Sequence, residues 1–154
     1  MSLPMLVRST FEAVYHIAQH MREMDKREVY ATRWTDSPET LAAEMSSLQP
    51  SFVWTAKDGE PVYAFAMNAV RPGVWTGGGF GTDRWPEVMR AVSKHLKGVM
   101  VPLMLSASHR IECCTLAEKI DGHRWLRWLG AEQEAVLHGY GRGGEDYLLF
   151  TWRA

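Results

Sequence analysis

Cysteine is scarce in this chain: its 154 residues include two, Cys113 and Cys114, adjacent in sequence. Neighbouring side chains on a strand point to opposite faces, so an ordinary structural disulfide between them is disfavoured. No Cys/His grouping has zinc spacing. An apolar run of membrane-spanning length, about 18 residues, is missing as well. So is net charge: 17 basic and 18 acidic side chains leave −1. The two halves are also balanced, with 7 basic and 9 acidic groups through residue 77 and 10 and 9 after it. A basic arm is therefore absent, and so is the broad positive field that sequence-independent nucleic-acid binding requires. Arg8, Glu12, His16 and His20 interrupt the first twenty residues, which leaves no apolar stretch of the signal-peptide type. The expectation is a soluble protein of a reducing compartment.

What the chain does have is material for a core. Hydrophobic residues make up 46% and charged residues 23%, a balance that excludes a disordered chain. The length suits one domain, 1–154, able to bury roughly two-thirds of its unfolded surface. No linker, repeat or low-complexity segment divides it.

A short apolar run, Leu3 to Val7, is long enough for one strand. Ser9 and Glu12 make a capping-box pattern, followed by Phe11, Val14, Tyr15, Ala18 and Met21 at helical spacing. Asp25 and Glu28 give a second such pattern, with Val29, Tyr30 and Trp34 behind it. Ser37-Pro38 places a cap and an N1 proline before Leu41, Met45 and Leu48. The texture then turns to strands over 51–57, 61–70 and 74–82, with Asp58-Gly59 and Arg71-Pro72-Gly73 as turns. Pro86 starts the longest helical pattern, and Gly98 and Pro102 predict a break near 98–102. A strand over 109–116, a short helix over 121–129 ended by Gly130, and strands over 135–140 and 147–152 complete the chain. The order is β-α-α-β-β-β-α-β-α-β-β, with a further short helix before the second strand. This is an α/β (α+β) architecture with a mixed, mostly antiparallel sheet flanked by helices.

That order resembles the N-acetyltransferase (GNAT) fold. The closest local correspondence is His109-Arg110-Ile111-Glu112-Cys113, then Trp125-Leu126-Arg127-Trp128-Leu129-Gly130-Ala131, then Gly143-Gly144-Glu145-Asp146 before the last strand. More narrowly, 21–29, 58–62, 79–83 and 124–130 resemble the GNAT-like internal virion protein A of short-tailed phages. Active acetyltransferases of this fold hold the acetyl-CoA pyrophosphate on an Arg/Gln-x-x-Gly-x-Gly/Ala loop after the fourth strand. The corresponding stretch here runs through Gly81, Thr82, Asp83 and Arg84 to Trp85-Pro86-Glu87. It lacks glycine where a phosphate approaches, adds Asp83 and Glu87, and loses a donor at Pro86. Asp83 is expected to cap the helix and occupy its amides. Many family members also place a tyrosine four residues before the glycine that ends the fourth helix, to protonate the leaving thiolate. That position is Leu126.

Other features carry less. Glu112, with His109 near it, is a candidate base on the fifth strand, although a rim ion pair with Arg110 or Arg124 is the preferred account. Gly77-Gly78-Gly79-Phe80-Gly81 lacks both the Gly-Lys-Ser/Thr of a P-loop and the third glycine of a dinucleotide fingerprint, and reads as a bent or bulged strand. His16 and His20 share a helix face without a third ligand. Arg90, Lys94 and Lys97, with Arg84, form a basic side of the long helix that Glu87 interrupts. Trp125 and Trp128, three residues apart beside Arg124 and Arg127, are expected on one side of their helix as interface anchors.

The resemblance implies a phage virion-associated structural or assembly protein with a degenerate acyltransferase site. Its expected partners are other virion proteins, in an assembly that admits an oligomer. Its expected location is the virion or the host cytoplasm, and no cofactor is expected. The alternative is an active acetyl-CoA-dependent N-acetyltransferase with an atypical cofactor loop.

Overall fold

Strand and helix signals in the chain resolve into seven strands and six helices in a computed structural model that describes residues 3–154. The elements are β1 (Met5–Arg8), α1 (Phe11–Gln19), α2 (Glu23–Tyr30), α3 (Pro38–Ser47), β2 (Ser51–Thr55), β3 (Pro61–Arg71) and β4 (Val74–Gly81), followed by α4 (Met89–His95), α5 (Val101–Ala107), β5 (Arg110–Leu116), α6 (Ile120–Trp128), β6 (Glu132–Leu137) and β7 (Tyr147–Arg153). The sheet order is β1-β2-β3-β4-β5-β7-β6, antiparallel except where β4 meets β5.

Local chemistry accounts for most boundaries. Ser37 caps α3, its Oγ accepting from the Thr40 N–H at 3.1 Å, and Pro38 holds the first helical position. Gly59, Gly73 and Gly130 take φ of +90°, +80° and +97°, which close the two hairpin turns and end α6. The break expected near 98–102 is a single π turn, Leu96–Met100, after which the helix resumes as α5 with Pro102 in its first turn. Two caps differ from the sequence reading. Thr10, not Ser9, caps α1. Asp25 lies inside α2, whose N-cap position is Arg22. Trp34, expected behind α2, stands in the following turn with 98% of its surface exposed.

The two largest of three core clusters lie on opposite faces of the sheet. On one, Trp54, Tyr63, Met67 and Phe150 pack against Val92, Leu96 and Leu126 from the long helix and α6. On the other, Val53, Ala64, Ala66 and Phe80 meet Val14, Ile17, Leu41 and Met45 from α1 and α3. Each of these larger side chains contributes about 1.5–3 kcal/mol by burial. The glycine run of β4 is not bulged. It stays in register with β3, from Met67 opposite Gly77 to Tyr63 opposite Gly81. Its glycines give room instead: a Cβ at Gly79 would lie 2.3 Å from the Tyr63 hydroxyl, and one at Gly77 2.5 Å from the Met67 sulfur. The bulky β3 side chains fold across β4 because Gly77, Gly79 and Gly81 leave that stretch of the face bare.

A candidate site at the splayed strands

Strands β4 and β5 pair only at Val74–Arg110, Trp75–Ile111 and Thr76–Glu112. Beyond that point they diverge. Gly77, Gly78 and Gly79 on one side and Cys113, Cys114 and Thr115 on the other border a chamber of about 710 Å³ that reaches both faces of the sheet.

The far end of the divergence is closed by α2. Asp25, 1% exposed, accepts from the Gly81 N–H at 2.8 Å and pairs with Arg22 and with Lys119. One turn on, Glu28 accepts from the Thr115 hydroxyl and the Leu116 N–H, and its other oxygen meets Lys119 at 3.0 Å. Two carboxylates one helical turn apart thus hold the ends of the two separated strands. Burial works against charge on Lys119, but Glu28 and Asp25 outweigh it and hold the ammonium pKa above its ordinary value. Removing one member of such a buried set costs about 3–5 kcal/mol.

Most of the loop after β4 is bonded within the chain. Besides Gly81, the Thr82 N–H donates to the Val62 carbonyl, Arg84 to the Thr82 hydroxyl, Trp85 to the Thr82 carbonyl, Glu87 to Arg84 and Val88 to Trp85. Pro86 has no N–H. Asp83 does not cap as expected: it is exposed, the Thr82 hydroxyl accepts from the Arg84 N–H, and neither the short 3-10 turn Trp85–Glu87 nor α4 has a side-chain cap. The Arg84 guanidinium is held by Glu87, Glu60 and Asp58 at 2.7–2.9 Å, which raises its already high pKa. A phosphate arriving here meets three carboxylates and mostly occupied amides. The residues present do not fit a pyrophosphate.

An aromatic group stands beside this loop. Trp85 lies 4.7 Å from Tyr63 and 5.4 Å from Trp125 between ring centroids. Arg22 sits over Trp85 at 5.4 Å. Trp125 donates its indole N–H to Ser93 at 2.8 Å, tying α6 to α4. This corrects the expectation that Trp125 and Trp128 share a side: Trp125 packs inward, whereas Trp128 is 51% exposed under Lys97, 4.2 Å from the ring centroid. Arg124 and Arg127 are exposed, Arg127 bonding Gln133.

The remaining candidates separate. Glu112 accepts from Arg110 at 2.7 Å, and Arg110 also binds Glu134. His109 is not brought to Glu112; its ring lies over Gly73, where a Cβ would come within 2.4 Å. Leu126 is buried and offers no proton. Both cysteines are free. Cys113 packs in the core on the long-helix face, and burial pushes its thiol up to about 12. Cys114 faces the other way, beside the Tyr140 hydroxyl. The His16 and His20 rings lie tilted to one another at 4.5 Å between centroids with Glu60 3.7 Å from His16, and no metal-holding cluster occurs among the described residues.

Sequence reasoning missed Asp25, Glu28, Lys119 and Arg33. Arg33 lines the chamber, with Nη2 on Glu44 at 2.6 Å and Nε buried without an acceptor. A buried donor left unmet costs about 1–3 kcal/mol.

No protein-family model matches the chain, and no curated protein matches it by sequence. Solved structures do. A GNAT phosphinothricin acetyltransferase from Sinorhizobium meliloti, in complex with AcCoA, is similar with a TM-score of 0.74 at 16% identity, over 97% of this chain and 88% of that one. The ribosomal-protein-S18-alanine N-acetyltransferase of Escherichia coli gives 0.71 at 17% identity, over 98% and 94%. A GNAT-family acetyltransferase from Bacillus anthracis gives 0.67 at 12%, over 99% and 95%. At such identities the likeness establishes the fold: the chain has the GNAT fold, with its mixed sheet and flanking helices.

Proposed function

We propose that this GNAT-fold chain is non-catalytic and works through protein contacts, as a virion-associated structural or assembly component. The observation that carries the loss of catalysis is the loop after β4, where most amides and the arginine are already bonded within the chain. Backbone N–H groups at that loop would have to be free to hold a pyrophosphate. Leu126 adds to this reading, since an apolar side chain cannot protonate a leaving thiolate. The phage setting rests on the short stretches that resemble internal virion protein A.

A second reading, an acetyl-CoA-dependent N-acetyltransferase, is favoured by different observations. The chamber between β4 and β5 stays open, and the similar solved structures named above are acetyltransferases, one of them in complex with AcCoA. The comparisons speak for this second reading and the loop geometry for the first.

Isothermal titration with acetyl-CoA separates them. The expected result is no saturable heat up to millimolar ligand; a micromolar dissociation constant, with CoA release on adding amine acceptors, would overturn the first reading. Mass spectrometry of purified phage particles tests the setting directly, and particles lacking the chain would remove it.

A further inference from the structure

The chamber has a use that the closed loop does not block. Its long-helix side is apolar, walled by Met67, Leu96, Met100, Met104, Ile111 and Trp152. Its α3 side is also apolar, at Leu41, Met45 and Leu48, but carries Arg33. Between the two sides the chamber passes Gly78, where a Cβ would meet nothing within 4 Å. A volume of about 710 Å³ falls within the range of pockets that hold small molecules. Apolar cavities of this kind take apolar ligands readily.

Charge at the two sides differs. The cations Arg22 and Lys119 that line the chamber are engaged by Asp25 and Glu28. Arg33 is less completely met: Glu44 accepts from Nη2, the Arg33 carbonyl accepts from Arg142, and the buried Nε–H has no acceptor. Glu44 is well exposed and can turn into water. The Nε–H is shielded by its own surroundings, so the guanidinium's free capacity lies in the nitrogens that Glu44 can release; an arginine at the edge of an apolar chamber matches a carboxylate joined to a hydrocarbon chain.

We propose that the chamber binds an amphipathic monocarboxylate of the fatty-acid class. Its carboxylate rests on Arg33, and its chain threads between β4 and β5 past Gly78 toward Met100 and Met104. No bond is made or broken. The site needs neither pyrophosphate-binding amides nor a proton donor at position 126.

The test is titration of the full chain with decanoate and decanol, read by calorimetry and tryptophan fluorescence. Decanoate should bind one to one with a micromolar dissociation constant, and decanol more weakly. Arg33→Met should weaken decanoate about tenfold, the size expected for a lost charged hydrogen bond, and leave decanol unchanged. Gly78→Leu should fill the passage and abolish both, with the circular dichroism of the parent. Absence of saturable decanoate binding overturns the proposal, as does equal decanoate affinity in Arg33→Met, or full binding in a folded Gly78→Leu. If Gly78→Leu does not fold, the Arg33→Met comparison decides. Acetyl-CoA, titrated alongside, reads the cofactor question separately, so neither result stands in for the other.

Discussion

The two adjacent cysteines show how one residue step on a strand divides chemistry. Cys113 enters the long-helix core and Cys114 the opposite face, so their sulfurs cannot meet. Thiol counting in denaturant without reductant should return two per chain; zero in a monomer would contradict the geometry. In the native protein at pH 8, Cys113 should resist a thiol reagent that denatured chain consumes at once, because the reactive species is the thiolate. The sign for stability follows. A thiol raised by burial to about 12 favours the fold fully below its ordinary range, and that contribution is lost as pH climbs toward the raised value. Alkaline melts of Cys113→Ser against the parent would read the difference. Asp25 makes a second point at this scale. Its spacing to Glu28 looks like a capping box, and nothing in the local sequence says otherwise. Its partners at Gly81 and Lys119 lie far along the chain, so its bridging role is visible only in three dimensions.

Helix α6 carries the test at the scale of an element. Residues three apart on a helix differ by about 60° around the axis, and here the boundary between core and solvent falls inside that arc. Trp125→Ala should lower stability by up to about 3 kcal/mol, the lower end for a large core side chain because Trp125 is half-buried, and remove its bond to the Ser93 hydroxyl. Trp128→Ala should cost about 1 kcal/mol or less, the scale of an exposed cation–π contact with Lys97. Urea melts of the two variants check this, and equal losses would mean that the helix is rotated. If Trp128 anchors a partner, its variant folds yet fails to assemble. Elements with local punctuation were legible in the sequence: Ser37-Pro38 at α3, Asp58-Gly59 at the first hairpin, Gly130 after α6. The π turn was legible only as an interruption, because Gly98 and Pro102 mark where an α-helix falters and not what replaces it. The chamber was not legible, since it arises from where two strands stop pairing. The bonded loop after β4 was legible in its missing glycines, though not in which groups meet its amides.

For the whole molecule, balanced charge hides a set of local pairings with a common pH signature. Hydrogen bonds from Glu60 N–H and Arg84 hold Asp58 below its ordinary pKa, Arg84 does so for Glu87, and Arg110 for Glu134. Depressed carboxylates stabilise the fold above their unfolded pKa, about 4, and release that stability as pH falls through the folded values. Melting temperature should therefore drop between about pH 5 and pH 3, and Arg84→Met should flatten part of that slope. A slope identical in the variant would show that these exposed pairs contribute nothing, as many surface pairs do. The clasp that α2 places across β4 and β5 also bears on how the chain is made. Asp25 reaches Gly81 over 56 residues, and Glu28 reaches Leu116 and Lys119 over 88 and 91. During synthesis Asp25 emerges with only Arg22 at hand, long before Gly81 and Lys119, and Glu28 stays hydrated until residues 115–119 emerge. The clasp therefore ties the amino-terminal half to the carboxyl-terminal third: the separated ends of β4 and β5 are held together only once residues 115–119 have been made.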